Sequence, residues 1–274
     1  VNEVINSTGS GYMSRGNLAQ IFMNWKQNNP ERYALLNAQF KDHVNAIDEY
    51  QQSLQSDDVG LGETVFLADV SGSMSGNPMG TSVGASIIGS YFNLEEGYHN
   101  RVLTFESQPR WVSLDYPKTR WEFNSEFNGY SGNNRFPIGD TWLPERVGKE
   151  LDWLEKIHVL SSAGWGGSTN FLAAVDMICD VAEKFNVDLP KRVLCITDMQ
   201  WDAADCSRTS LAPKSNILRN MSQLKGNYQT LFDKIKQCFL QLRLKATKLP
   251  EFICWNVNGR SANRGFPAGA FDDK

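Results

Sequence analysis

The sequence predicts an α/β fold: a doubly wound, mostly parallel sheet with helices on both faces, preceded by an N-terminal helical segment. Short apolar runs typical of buried strands alternate with segments of helical periodicity, which indicates parallel strands joined by crossover helices. Right-handed crossovers would wind such a sheet in both directions from its centre. Polar, glycine-rich loops also adjoin the predicted strands, and ligands bind such sheets at the carboxyl ends of the strands.

Residues 1–56 are predicted to be a Ser-, Gly- and Asn-rich lead-in followed by helices, the first at 17–27. A second helix starts with Asn29 as its N-cap and Pro30 at its first position. Its apolar residues lie along one face: Tyr33, Leu36, Phe40, Val44, Ile47 and Leu54. We expect this helix to pack on the main domain, residues 60–274. The alternative is a coiled-coil contact with another chain.

The main domain is predicted to alternate strands and helices. Strands are predicted at 63–68, 101–105, 111–114, 192–197 and 251–256. Helices are predicted at 78–92, 145–160, 171–186 and 226–248. Small residues in the first of these helices favour close packing on the sheet. Between the strand at 111–114 and the helix at 145–160, residues 115–144 are predicted to form a long aromatic loop. A loop of this length is usually functional or packed on itself.

Composition argues against several classes of protein: general nucleic-acid binders, disulfide-rich or zinc-binding proteins, and membrane proteins. The 274 residues carry a net charge of −4, which argues against a chain-wide attraction to nucleic acid. The five cysteines include no C-x-x-C pair, so neither a disulfide framework nor a zinc site is expected, and a reducing compartment fits better. No apolar run approaches the roughly 20 residues that span a bilayer, and no signal peptide is visible. We therefore expect no membrane association.

Three segments carry small side chains with oxygen atoms. Residues 69–73 follow the first strand, residues 166–170 precede a helix, and Asp198 follows the strand at 192–197. Hydroxyl and carboxylate oxygens are the ligands that hard divalent cations prefer. If residues 69–73 form an extended loop, alternation points the side chains at 69, 71 and 73 the same way. The sequence therefore predicts a metal site at this edge of the sheet.

The spacing of these residues resembles the metal-ion-dependent adhesion site of the von Willebrand factor A family. The matching residues are Asp69, Ser71, Ser73, Thr169 and Asp198. The resemblance implies that the two serines and the threonine bind Mg²⁺ or Mn²⁺ directly. The two aspartates would then hold it mainly through water. It also implies an open coordination position that accepts an acidic residue of a protein partner.

Residues 165–171, 197–202 and 252–256 resemble a little-characterised family of A-like-domain proteins from eukaryotes, bacteria and large viruses. That family is related to the A domain of Ro ribonucleoproteins. The resemblance covers roughly residues 60–270. Two features depart from most A domains. Met199 stands where many have glycine, and the chain stops before the final strand and helix that usually follow. We expect those elements to lie beyond residue 274, or the sheet edge to be completed differently.

The first functional hypothesis is a metal-dependent protein-binding module, not an enzyme, within a larger assembly. Haloacid-dehalogenase-type phosphatases also place an aspartate after their first strand, but they use Asp-x-Asp, and Ser71 stands at the second position here. Residues 76–82 lack the Gly-Lys-Ser/Thr ending of a phosphate-binding loop. The three histidines form no catalytic arrangement that the sequence supports.

Two alternatives remain open. Residues 205–248 carry a local charge of +7, which favours an RNA-binding component resembling Ro proteins, although a solvated helix face explains the same pattern. A structural or virion-associated protein, in which the aromatic loop makes static contacts, is the third hypothesis. Because no signal peptide or transmembrane segment is visible, we expect an intracellular (cytoplasmic) or virion-associated location.

Overall fold

The computed structural model describes residues 15–54, 60–74, 76–105, 109–119, 143–162, 171–198 and 250–257. The α-helices in these residues are α1 (Arg15–Asn28), α2 (Pro30–Ser53), α3 (Asn77–Tyr91), α4 (Trp153–Ser161) and α5 (Phe171–Phe185). The strands are β1 (Thr64–Asp69), β2 (Arg101–Phe105), β3 (Trp111–Ser113), β4 (Arg192–Thr197) and β5 (Glu251–Asn256). Short 3-10 turns lie at Gly72–Met74 and Pro144–Arg146.

The strands form one five-stranded mixed sheet in the order β3-β2-β1-β4-β5. β1 lies at the centre and pairs in parallel with β2 on one side and with β4 on the other, and β5 continues in parallel beyond β4. Among the strands that the structure describes, β3, at one end of this order, is the one antiparallel to its neighbour. The predicted α/β class, with a mostly parallel sheet, is confirmed.

Helices cover both faces of the sheet. On one face, Val65 and Leu67 of β1 share an apolar cluster with α5. On the other face, α3 packs so tightly that a Cβ atom at Gly89 would lie 1.9 Å from the ring of Phe66. Since no side chain fits there, glycine permits the close helix–sheet approach that the small residues of α3 predict.

The N-terminal helices share the core of the α3 face. Tyr33, Phe40 and Val44 of α2 are buried, and the Phe40 ring stacks on Trp153 of α4 with the centroids 5.1 Å apart. The apolar stripe of α2 therefore packs within this chain, as the first of the two interpretations expects. Asn29 is the N-cap residue of α2 and Pro30 its first helical residue, as predicted, but the Asn29 side chain forms no capping hydrogen bond. Its side-chain amide donates instead to the carbonyl of Trp25 at 2.9 Å, and Asn29 is the single residue between α1 and α2.

The predicted helix at 145–160 is wrong in its first half. Gly148 has a φ of +76°, and Glu150 lies in an isolated antiparallel bridge, so the chain cannot be helical there. α4 begins only after Asp152, whose carboxylate accepts a hydrogen bond from the backbone N–H of Glu155. The backbone N–H of Asp152 in turn donates to the Glu155 carboxylate, which completes a capping box.

Several predictions fall outside the described residues. They concern the lead-in before residue 15, most of the aromatic loop at 115–144, the basic segment at 205–248 with its helix, and the chain after residue 257. The cysteines that the structure describes, Cys179, Cys195 and Cys254, are free thiols. None of the described helices combines the length and the apolarity needed to cross a membrane.

Candidate metal centre

The candidate site begins with Asp69, which is the last residue of β1 and is 0% exposed. The loop after it is anchored by Val70 and Met74, which both enter the apolar core on the α3 face. Between these anchors, Ser71 is buried and Ser73 is exposed. The polar side chains thus run from the interior to the surface of the loop.

The loop is not extended, which corrects the geometry expected from alternation. Gly72–Met74 form a 3-10 turn, and the Met74 N–H donates to the carbonyl of Ser71 at 3.1 Å. The hydroxyls of Ser71 and Ser73 nevertheless lie 3.0 Å apart, in hydrogen-bond contact. The convergence of these two oxygens therefore comes from the tight turn and not from strand-like alternation.

Both carboxylate oxygens of Asp69 accept hydrogen bonds. The backbone N–H of Ser71 donates to Oδ1 at 2.9 Å, and the hydroxyl of Thr197 donates to Oδ2 at 2.6 Å. Thr197 is the last residue of β4, and the pairing of Ala68 with Ile196 sets it beside Asp69. The parallel pairing of β1 and β4 thus determines where this carboxylate lies.

Asp198 follows Thr197 directly and is only 4% exposed. Burial raises the pKa of Asp69 above its usual value. The hydrogen bonds from Thr197 and Ser71 oppose that shift, and the nearby carboxylate of Asp198 adds to it. Two buried acidic groups thus lie near each other at the carboxyl ends of β1 and β4. A cation placed between them would offset the cost of their charge.

Four of the five predicted ligands lie in the described part of the chain. Ser71 contacts both Asp69 and Ser73, and Asp198 lies close enough to act on the pKa of Asp69. Thr169 lies outside the described residues. In the described residues, no group of three or more His, Cys, Asp or Glu side chains could hold a metal ion. A cation here would therefore also need hydroxyl oxygens, which suit a hard ion such as Mg²⁺.

Residues 144–269 match a family model described as "Domain of unknown function (DUF7788)". A curated relative, "Uncharacterized protein L728" of Acanthamoeba polyphaga mimivirus, is 26% identical over 155 residues, which cover 56% of this chain. The chain aligns with only 21% of that viral protein. No solved structure matches the chain significantly.

These similarities are consistent with the predicted resemblance to a family that includes proteins of large viruses. The family match contains Thr169 and Asp198 but begins after Asp69, Ser71 and Ser73. Neither description states an activity, a ligand or a partner.

Sequence reasoning gave no role to Thr197, although it noted the segment that begins there. The available signal was its position, since a hydroxyl side chain ends a buried apolar strand directly before Asp198. Its partner could not be read from the sequence, because the register of β4 against β1 depends on the assembled sheet.

Proposed function

We propose that this chain is a divalent-metal-dependent protein-binding module with a von Willebrand factor A-like domain. Mg²⁺ or Mn²⁺ would bind between the loop after β1 and the end of β4. The proposed residues are Asp69, Ser71, Ser73, Thr169 and Asp198. An acidic side chain of a partner would complete the coordination. The observation that carries the proposal is the buried Asp69 carboxylate, which has hydroxyl and amide donors and a second carboxylate around it.

The strand order supports this location. From β1 the sheet continues to β2 and β3 on one side and to β4 and β5 on the other, so its order reverses between β1 and β4. In open α/β sheets, ligands bind outside the carboxyl ends of the strands at such a reversal. Asp69 ends β1, and Asp198 follows β4. A doubly wound sheet of the A-domain type would bring the segment of Thr169, which directly precedes α5, to this edge.

The charge and exposure of the residues support a cation with an open side. The carboxylates of Asp69 and Asp198 are buried, whereas Ser73 is exposed. A cation bound beside Asp69 would balance the negative charges of Asp69 and Asp198. It would remain accessible to solvent on the side where Ser73 is exposed. A carboxylate approaching from solvent is a hard oxygen ligand that such an ion accepts.

Isothermal titration calorimetry of the chain with MgCl₂ and with MnCl₂ tests the metal step. We expect saturable binding to the wild type, no binding to Asp69→Ala, and wild-type binding to Asp180→Ala, which removes an exposed carboxylate from α5. Circular dichroism in EDTA checks that both variants stay folded. If the wild type binds neither ion, or if Asp69→Ala binds like the wild type, the proposal is wrong.

A displayed peptide library, selected on the chain in Mg²⁺, tests the binding step. We expect selected peptides to share an Asp or Glu, and to lose binding in EDTA or when that residue becomes Asn or Gln. Selected peptides that bind equally well to Asp69→Ala and in EDTA would contradict a metal-mediated contact.

A further inference from the structure

Thr197 is a buried hydroxyl residue at the point where the two halves of the candidate site meet. Its side chain is 0% exposed, and its hydroxyl donates to Oδ2 of Asp69 across the β1–β4 pair at 2.6 Å. Its carbonyl accepts the N–H of Val257 at 3.0 Å, which also links it to the chain after β5. The residue is therefore held by both neighbouring segments of the sheet.

Two hydrogen bonds orient the Asp69 carboxylate: the hydroxyl of Thr197 donates to Oδ2, and the backbone N–H of Ser71 donates to Oδ1. A threonine side chain has few rotamers, so a hydroxyl on this strand has a well-defined direction. Each donor occupies one lone pair of its oxygen and leaves others for a further ligand. Both bonds also favour the charged carboxylate that a cation requires.

We propose that Thr197 is a positioning residue of the metal centre, holding Asp69 in the orientation that receives the divalent cation. This inference rests on the proposed function. Thr197 itself need not touch the ion, because it would act through its hydrogen bond to Oδ2 of Asp69. Hydrogen-bond partners of a metal-binding group commonly change metal affinity by about 10- to 100-fold when they are removed.

Calorimetry with MgCl₂ on three variants tests the role. Thr197→Val keeps the shape of the side chain and removes its hydroxyl, and we expect Mg²⁺ affinity to fall about 10-fold or more. Thr197→Ser keeps the hydroxyl and should therefore stay well inside the roughly 10-fold loss expected of Thr197→Val, since the donor is retained. Thr64→Val is the matched control, because Thr64 is a buried threonine at the other end of β1. It should bind Mg²⁺ like the wild type.

Melting temperatures in EDTA separate positioning from general damage to the fold. Positioning predicts that Thr197→Val loses Mg²⁺ affinity even when its EDTA melting temperature is close to that of Thr64→Val. If Thr197→Val does not fold, Thr197→Ala removes the same hydroxyl with less strain and replaces it in the comparison. If the variant that folds, Thr197→Val or Thr197→Ala, binds Mg²⁺ as tightly as the wild type, the inference is wrong. The proposed function is then unaffected. A wild type that binds no Mg²⁺ ends both.

Discussion

Asp69 at the end of β1 and Glu155 at the start of α4 are both buried carboxylates, but their surroundings are opposite. Glu155, with its side chain 3% exposed, lies 2.6 Å from Arg146 and 3.0 Å from Lys26. Burial would raise the pKa of Glu155, yet the hydrogen bond to Arg146 and the charge of Lys26 outweigh it, so the pKa is lowered. The pKa of Asp69 is raised, because burial and Asp198 outweigh its neutral donors.

The opposite pKa shifts distinguish Glu155, whose charge is balanced by basic residues of the chain, from Asp69, whose charge no basic residue in the described part of the chain balances. Glu155 links three segments, because Lys26 comes from α1, Arg146 from the turn before α4, and Glu155 from α4 itself. Among the residues that the structure describes, no lysine or arginine forms an ion pair with Asp69. The charge of Glu155 is thus balanced by Lys26 and Arg146 in the folded chain. The charge of Asp69 has no such partner in the described ranges, so an added cation would stabilise it.

The largest effect is expected from Glu155→Ala. The substitution leaves the charges of Arg146 and Lys26 without their shared partner and removes half of the capping box. Removing one member of a buried ion pair typically lowers the free energy of unfolding by about 3 kcal/mol. Urea denaturation followed by circular dichroism measures this difference.

Glu155→Gln sharpens that measurement, because the amide keeps the size of the side chain and an oxygen for hydrogen bonding. It should lose less stability than the alanine variant and leave Mg²⁺ binding unchanged. A Glu155→Gln variant that no longer binds Mg²⁺ would show that the two carboxylates are not independent, and the contrast between them would fail.

The next effect concerns Asp69 in the presence and absence of metal. Asp69→Asn removes a buried charge, so in EDTA it should unfold at the same urea concentration as the wild type or a higher one. Mg²⁺ at 100 times its dissociation constant should stabilise the wild type by about 2.7 kcal/mol and the variant by nothing. Glu155→Gln should keep the full increment. Equal stabilisation of Asp69→Asn by Mg²⁺ would place the ion elsewhere.

Much of the fold could be predicted because local patterns and the final structure agree. The runs at 101–105, 192–197 and 251–256 coincide with β2, β4 and β5, because apolar runs of strand length bounded by turns are distinctive. The start of α4 was missed although Asp152 and Glu155 have capping-box spacing. The predicted helix extends upstream into a segment where Gly148 has a positive φ, which a helix does not allow.

The site could be predicted only as a set of residues. Strand-end positions identified Asp69, Ser71 and Asp198, because the carboxyl ends of parallel strands meet at one edge. The tight turn that joins Ser71 to Ser73 and the bond from Thr197 to Asp69 depend on the packing of Val70, Met74 and the β1–β4 register. Such long-range geometry has no local signal in the sequence.

A smaller effect is expected from acid. A carboxylate with a lowered folded-state pKa stabilises the native state above its unfolded value, about pH 4.3, and loses that contribution as pH falls through the folded value. The difference in stability between the wild type and Glu155→Gln should therefore be constant near neutrality and shrink below about pH 4. Denaturation series from pH 7 to pH 3 measure it. If the stability difference between the wild type and Glu155→Gln instead grows as the pH falls, the pKa of Glu155 is raised by folding and not lowered.

The smallest effect is expected from Lys26→Ala. The Lys26 side chain is 30% exposed, so solvent screens its pairs with Glu155 and Asp152, and a pair of this kind contributes about 0.5 kcal/mol. The matched control is Lys191→Ala, which breaks the pair with Glu63 between side chains that are 51% and 38% exposed and should have no measurable effect. Urea denaturation at low and high salt compares them. A loss for Lys26→Ala as large as that for Glu155→Ala would mean that Arg146 alone does not neutralise Glu155.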